Sequence, residues 1–217
     1  MYCFFDTETT GLPNYNLDLT DPAQPRVLQF AALVADETGR EIAAFKTAIK
    51  PEGWSVDERM EINGRPTAYA IHGIGNDHLN RYGMSIRTAL LMFRKFQDMS
   101  TIKVAHNYRF DGFLIKGEHQ RIGMDAGPDI DKFCTMKAMT EIMKIKPTEA
   151  MIASGRNWPK SPNLGEAYTL CTGLKLDKAH DALADVRASK EIFFWILKNN
   201  LFKDQPRVKP QPVDTAA

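Results

Sequence analysis

Two acidic residues stand at the end of the first apolar run of the chain. Asp6 and Glu8 follow the buried-looking residues 2–5, and their spacing sends both carboxylates to the same face of a strand. Two carboxylates at close range repel each other, and one takes a raised pKa unless a cation lies between them. The pair therefore indicates either a cation site or, taken alone, two solvated acids at the start of a loop.

Two further acids fall on the apolar faces of predicted helices. A helix beginning near residue 109 gives Asp111 the same face as apolar residues at i+3 and i+4. A helix beginning near residue 181 places Asp185 in line with two isoleucines, at i+7 and i+11. Aspartate is rarely buried unless it is paired or binds a metal, although the dipole of a helix also favours an acid in its first turn.

His180 lies five residues before Asp185, too far around one helix to share its face. It can reach the same site only from the loop before the helix, with Asp181 as the N-cap. Four acids without a cysteine suit Mg²⁺ or Mn²⁺ rather than zinc. Two such ions about 3.5–4 Å apart can hold the attacking and leaving oxygens of a phosphoryl transfer. A histidine adds a base whose pKa lies near neutrality.

Composition limits the classes of protein that this chain can belong to. Its 217 residues predict one domain, and its formal net charge of +1 argues against binding polyanions by bulk electrostatics. The three cysteines are widely spaced and odd in number, which argues against a disulfide framework or a zinc knuckle and fits a reducing compartment. No apolar stretch is as long as a membrane span. We therefore expect a cytoplasmic protein without a membrane partner.

The charge is unevenly distributed along the chain. Residues 1–25 contain four acids and no lysine or arginine, whereas residues 137–160 contain five basic and two acidic residues. The basic segment is either a wall that binds a nucleic-acid strand or an ordinary solvated face, and the sequence leaves both interpretations open.

The elements that must position the acids form an alternating pattern. Three strands in a meander come first, and strands alternating with helices follow, which predicts a mixed α/β sheet covered by helices. The site of such a sheet usually lies beyond the carboxyl ends of its parallel strands. Strands are predicted near 2–6, 26–35, 41–50, 101–105 and 130–134. Helices are predicted near 66–71, 85–98, 109–122, 135–145, 163–172 and 181–198. Residues 7–25 and 146–162 are predicted to be loops, and residues 52–66 irregular. Residues 203–217 are predicted to form a flexible, proline-containing tail after a domain of residues 1–202.

Three segments resemble a known family in their order along the chain. Residues 6–12 (DTETTGL), 106–111 (HNYRFD) and 180–185 (HDALAD) closely resemble the exonuclease motifs of the DnaQ-like, or DEDDh, 3′–5′ exonucleases. Residues 71–74 (IHGI) are similar to a turn of that family. The stretches 133–136 and 158–159 resemble its phage and bacterial branch, which includes the exonuclease domain of the DNA polymerase III epsilon subunit.

The resemblance implies a ribonuclease H-like fold with a five-stranded mixed sheet. It implies that Asp6, Glu8, Asp111 and Asp185 bind two Mg²⁺ or Mn²⁺ ions and that His180 is the general base. It further implies a set of contacts to the terminal nucleotide, formed by Thr9, Thr10, Leu12, His72, Asn107 and Phe110. Two histidines outside the motifs, His78 and His119, stand among polar residues, and we expect both at the surface.

The leading hypothesis is a metal-dependent 3′–5′ exonuclease that acts on single-stranded or frayed DNA and releases nucleoside 5′-monophosphates. An exoribonuclease of the same family is the alternative, because the choice of sugar depends on the shape of the pocket. A non-catalytic nucleic-acid-binding module on the same fold is a second alternative. The short tail argues against a stable polymerase partner, and the long acidic loop after the first motif departs from the family pattern.

Overall fold

The computed structural model describes residues 1–177 and 181–201 of the chain. The strands within these ranges are β1 (Tyr2–Thr9), β2 (Val27–Ala35), β3 (Glu41–Ala48), β4 (Glu61–Ile62), β5 (Arg65–Pro66), β6 (Ile102–Ala105) and β7 (Asp131–Cys134). The helices are α1 (Ala68–His72), α2 (Asn76–Tyr82), α3 (Ile86–Asp98), α4 (Tyr108–Arg121), α5 (Thr135–Met143), α6 (Glu149–Ala153), α7 (Leu164–Thr172) and α8 (Ala182–Lys198). The predicted tail, residues 203–217, lies outside the described residues.

Five of the strands form one mixed sheet in the order β3–β2–β1–β6–β7. The pairs β1–β2 and β2–β3 are antiparallel, whereas β1–β6 and β6–β7 are parallel. The carboxyl ends of β1 and β6 therefore lie at the same end of the sheet, where the first motif lies and the second motif begins. The predicted α/β class, with a five-stranded mixed sheet flanked by helices, is confirmed.

Several local predictions were wrong. Strand β1 continues to Thr9, because Glu8 pairs with Gln29 of β2, so the loop expected from residue 7 begins only after Thr9. Residues 52–66 contain the β4–β5 hairpin, whose turn residues Asn63 and Gly64 have φ values of 52° and 75°. An Asn-Gly pair favours such a turn. Helix α2 was not predicted.

The predicted loop at 146–162 also contains a helix. Thr148 caps α6 by accepting a hydrogen bond from the amide of Met151 at 3.2 Å. The helix is only five residues long, so the apolar period that indicates longer helices is absent from its sequence.

Strand alternation divides the core between the two faces of the sheet. Tyr2 and Phe4 point to the face covered by α8, α7 and α5, while Cys3 and Phe5 point to the face covered by α3 and α4. Asp6 and Glu8 continue the row of Tyr2 and so belong to the α8 face. None of the helices in the described part of the chain is long and apolar enough to span a membrane.

An aromatic cluster fixes α8 against the sheet. The ring of Phe193 is fully buried, and its centroid lies 5.0 Å from Tyr2, 5.4 Å from Phe4 and 5.0 Å from Phe133. Each contact is edge-to-face, the arrangement that aromatic quadrupoles favour. Because Asp185 lies two turns earlier on the same helix, this cluster sets the position of one of the four acids.

Truncation of this ring tests how much the cluster contributes. We expect Phe193→Ala to lower the free energy of unfolding by about 3–5 kcal/mol, because it removes buried contacts and leaves a cavity. The measurement is a denaturant titration followed by circular dichroism. Leu91→Ala, at an exposed position of α3, is the control and should change stability by about 0.5 kcal/mol or less. Equal losses in the two variants would contradict this account.

Candidate active site

Three of the four predicted acids converge at the end of the sheet. Asp6 and Glu8 come from β1 and Asp185 from α8, and each offers a carboxylate oxygen within 4.8 Å of the other two. Asp185 is buried, and the other two are partly buried. The strand spacing and the helical face that the sequence indicated are therefore both present.

Asp111 joins the cluster through Thr7. The Oδ1 atom of Asp111 accepts a hydrogen bond from the Thr7 amide at 3.0 Å and one from Thr7 Oγ1 at 2.7 Å. Asp111 is 2% exposed, and both bonds are buried. Thr7 alternates with Asp6 and Glu8, so it faces α4 while they face α8. Sequence reasoning did not single out Thr7, and its place between the two acids was the only signal for it.

The electrostatics of the cluster are unfavourable to four negative charges. Burial and the three neighbouring carboxylates raise the pKa of Asp6 well above its usual range. Burial, and then repulsion from Asp185, raises the pKa of Glu8 to about 8. Burial raises the pKa of Asp111 to about 7, although the hydrogen bonds from Thr7 oppose this shift. The group therefore holds protons at neutral pH when no cation is bound.

Helices α4 and α8 both begin at the acidic cluster. Asp111 lies in the first turn of α4 and Asp185 in the first turn of α8. The predicted cap of α8 is confirmed: Asp181 Oδ1 accepts hydrogen bonds from the amides of Leu183 and Ala184. Helix N-termini carry partial positive charge, which stabilises nearby carboxylates by about 0.3–1 kcal/mol at exposed positions.

The predicted general base, His180, lies outside the described residues. The chain resumes at Asp181, whose carboxylate also forms an ion pair with Lys46 of β3 at 2.7 Å. The role of His180 therefore stays a prediction from the family resemblance.

His72 ties the turn around α1 to the end of β1. Its Nδ1 accepts a hydrogen bond from the Ile74 amide at 3.0 Å, so its Nε2 carries the proton and donates to the Thr9 carbonyl at 3.2 Å. The amide of Thr10 donates to the Arg26 carbonyl at 3.0 Å. These bonds hold the backbone of the first motif next to the acids.

The other predicted substrate contacts differ in their exposure. Leu12 is 86% exposed, as a side chain that meets a ligand must be. Phe110 is partly buried against the α3–α4 side of the core. Asn107 has a left-handed conformation with φ of 68° at the start of α4, which asparagine tolerates better than most residues. His106 is held by Thr135 and the Pro162 carbonyl, and burial lowers its pKa to about 4.

The acidic loop after the first motif is organised by a buried side chain that the sequence did not reveal. Gln24 is 3% exposed. Its amide donates to the carbonyls of Asn14 and Asp18, and its oxygen accepts from the Asn14 amide. A polar residue in a polar loop carries no sequence signal for such a role.

A buried ion pair joins α4 to Arg26, which directly precedes β2. Glu118 accepts from Arg26 at 2.9 and 3.1 Å and from Arg121 at 3.2 Å. The carboxylate of Glu118 is almost fully buried, so removal of either partner would leave an uncompensated charge. The pair fixes the rotation of α4 and with it the direction of Asp111.

One of the two histidines expected at the surface is buried. His78 is exposed as predicted, but His119 is 1% exposed and lines a cavity together with Phe93 of α3 and Lys103 of β6. Polar neighbours in the sequence do not show which other elements of the fold will cover a residue.

The donor set fits a hard divalent cation. It consists of carboxylate oxygens only, close together, partly or fully buried, and with pKa values raised by mutual repulsion. A divalent ion would remove that repulsion, and oxygen ligands are those that Mg²⁺ and Mn²⁺ prefer. The residues present therefore fit the cofactor that the resemblance implies.

Comparison with known proteins agrees with this geometry. The exonuclease family model, RNase T, matches residues 3–193. No curated protein matches the chain.

Solved structures of exonucleases share the fold. Exonuclease I superposes with a TM-score of 0.64 at 23% identity, covering 92% of this chain and 42% of that one. The zinc-bound complex of E. coli exonuclease I with single-stranded DNA gives 0.62 at 21% identity, covering 91% and 40%. The nuclease domain of 3′hExo, a DEDDh family member bound to rAMP, gives 0.61 at 15% identity, covering 92% of each chain. The chain thus spans about two-fifths of exonuclease I, and the ribonuclease H-like fold is confirmed.

The repulsion among the clustered carboxylates predicts how the stability of the fold depends on pH in the absence of metal. The folded pKa values of these acids lie above the unfolded ones, so the folded state binds more protons between about pH 4.5 and 8. In EDTA we therefore expect the free energy of unfolding to fall as pH rises through this window. Asp6→Asn should recover about 1–3 kcal/mol at pH 8 and much less at pH 4.5.

Denaturant titrations at the two pH values measure this difference. Glu52→Gln removes an acid at an exposed position and serves as the control, with little change at either pH. An Asp6→Asn protein that is less stable than the parent at pH 8 in EDTA would show that the cluster does not repel itself.

Proposed function

Because this chain belongs to the DnaQ-like, DEDDh exonuclease family, we propose that it is a metal-dependent 3′–5′ exonuclease. Its substrate is the 3′ end of single-stranded or frayed DNA, and its products are nucleoside 5′-monophosphates. The observation that carries the proposal is the convergence of Asp6, Glu8 and Asp185 within 4.8 Å, with Asp111 held beside them by Thr7.

The four carboxylates are the residues that would hold two Mg²⁺ or Mn²⁺ ions. When bound, such ions polarise a phosphoryl oxygen and lower the pKa of a water molecule. The chain contributes the arrangement of ligands: β1 presents two acids on one face, and α4 and α8 each present one from a first turn. Thr7 keeps Asp111 oriented through two hydrogen bonds, as supporting residues around metal sites commonly do.

His180 is the residue proposed to accept the proton of the attacking water. It immediately precedes Asp181, the N-cap of the helix that carries Asp185. The proposed base and this proposed metal ligand therefore stand on either side of the same helix N-terminus in the sequence. A metal-bound carboxylate is a poor base, which leaves this task to a group with a pKa near neutrality.

The terminal nucleotide is proposed to lie along the end of β1. The backbone at Thr9 and Thr10 would meet the 3′-hydroxyl, and the exposed side chain of Leu12 would pack on the base. His72 supports this backbone through the Thr9 carbonyl. Asn107 and Phe110 precede Asp111 at the start of α4 and are proposed to contact the same nucleotide.

An exoribonuclease is the alternative function. One similar fold was solved with single-stranded DNA and another with the ribonucleotide rAMP, so the fold accommodates either sugar in different proteins. A non-catalytic module would be expected to lack at least one acid, and all four are present here.

Oligonucleotide digestion tests the function and the preferred sugar together. With Mg²⁺, a 5′-labelled DNA strand should shorten stepwise from its 3′ end, and a 3′-labelled strand should release labelled mononucleotide at once. Matched RNA should be cut more slowly. Asp185→Asn should reduce the rate by about 10³-fold, because a metal site contributes several kcal/mol to the transition state.

Glu52→Gln is again the matched control and should retain the parental rate, with folding of each variant checked by circular dichroism. Faster digestion of RNA would favour the exoribonuclease. Release of label from the 5′ end first would contradict the polarity, and binding without Mg²⁺-dependent cleavage would favour the non-catalytic module.

Substitution of His180 tests the base by a signature that a structural role would not produce. We expect His180→Gln to lower kcat by about 10²–10⁴-fold and to remove the acidic limb of the pH–rate profile. Stability in EDTA and the metal concentration at half-maximal rate should change little. A lower kcat with an unchanged pH–rate profile would contradict the assignment of His180 as the base.

A further inference from the structure

A second cavity lies on the opposite face of the sheet from Asp6 and Glu8. It measures about 460 Å³ and is bounded by α3, α4, the inner strands and residues 126–129; we call it the α3–α4 cavity. This volume is in the range of small-molecule sites. In the part of the chain that the structure describes, none of the four acids lines it.

Two glycines keep the cavity open. A Cβ atom at Gly112 would lie 2.9 Å from Cε1 of Tyr108, so the glycine allows that ring to lie against α4 along the cavity wall. Gly127 has φ of 90°, and a Cβ atom there would lie 2.7 Å from Cδ of Arg94. Arg94 in turn bonds to Asp125 at 3.0 Å, which holds the loop against α3.

The first unusual group in the cavity is a buried lysine. Lys103 of β6 is 8% exposed and, among the described residues, forms no ion pair. Its nearest polar contact is Gln97, which accepts from Lys103 Nζ at 3.3 Å and donates to the Ala126 carbonyl when its amide is oriented to satisfy both. Asp129, the one acid that the described residues place on the wall, is already paired with Lys132 at 2.9 Å. A buried ammonium without a counterion is costly.

The second unusual group is His119. It is 1% exposed, lines the same cavity, and has no hydrogen-bond partner on either ring nitrogen among the described residues. An unsatisfied buried polar group costs about 1–3 kcal/mol. A neutral imidazole offers one donor and one acceptor, which together match the edge of a heterocycle.

The remaining walls combine aromatic and cationic surface. Tyr108 and Phe113 supply partly exposed rings, and Lys116 on the exposed side of α4 adds an ammonium that forms no ion pair among the described residues. Aromatic walls bind flat rings, and ammonium groups bind phosphate.

We propose that the α3–α4 cavity is a second ligand site, which binds one mononucleotide. Its phosphate is the counterion of Lys103 and Lys116, its base lies against the aromatic wall, and His119 bonds to the edge of the base. The choice of a nucleotide among aromatic anions rests on the proposed function, whose product has this chemistry. Because α4 carries both Asp111 and the cavity wall, a bound ligand would contact the helix that serves the acidic cluster.

Calorimetric titration of the full chain with dAMP in EDTA tests the proposal, since the acidic cluster then lacks its cations. We expect binding of one dAMP per chain, unchanged in Asp6→Asn. Lys103→Met and Lys116→Met should each weaken it at least about tenfold, because a charge-assisted contact is lost. Lys95→Met, on the exposed side of α3 and outside the cavity, should leave it unchanged.

Lys116 is exposed, so its variant remains informative if the buried Lys103 variant does not fold. Absence of binding, binding that persists in both lysine variants, or loss of binding in Asp6→Asn would overturn the proposal. Inorganic phosphate binding as tightly as dAMP would overturn the nucleotide assignment. The same preparations are assayed for DNA digestion with Mg²⁺: binding without digestion refutes only the proposed function, and digestion without binding refutes only this inference.

Discussion

Mutual repulsion of buried carboxylates is the constraint on which the rest of this structure depends. Four acids are brought together where β1, α4 and α8 meet, and burial and repulsion raise the pKa values of Asp6, Glu8 and Asp111. Such a cluster destabilises the metal-free fold, so other interactions must keep its members in place. An oxygen-rich, self-repelling cluster is also what attracts a divalent cation most strongly.

Separate interactions hold β1, α4 and α8, the three elements that carry the acids. The Phe193 cluster anchors α8 to the sheet, and the Glu118–Arg26 pair anchors α4 to β2. Thr7 joins Asp111 directly to β1. The aromatic packing and the ion pair do not involve the four acids, whereas Thr7 binds one of them, Asp111. Together these interactions stabilise a site whose own carboxylates repel each other.

The spacing of residues was enough to predict where the acids lie but not which residues hold them in place. The spacing of Asp6 and Glu8 and the helical faces of Asp111 and Asp185 reflect local geometry, which the order of residues determines. Thr7 and Glu118 bind partners that are distant in sequence, so local patterns did not indicate their roles. Gln24 binds carbonyls of its own loop, where a polar residue is ordinary and carries no signal. The burial of His119 was not predicted, because α3 and β6, which lie beside it, are separate elements in the sequence. The β4–β5 hairpin is a different case, because Asn63 and Gly64 carried a turn signal that was not used.

The helix ends at the acidic cluster bear on the order in which the protein assembles. The first turns of α4 and α8 both carry an acid of the cluster, so each acid sits near fixed partial positive charge that is part of the backbone. Unlike a bound cation, this backbone charge cannot dissociate or be removed by a chelator. We therefore expect the fold to form before the cations bind, unlike small domains in which metal binding and folding are one event.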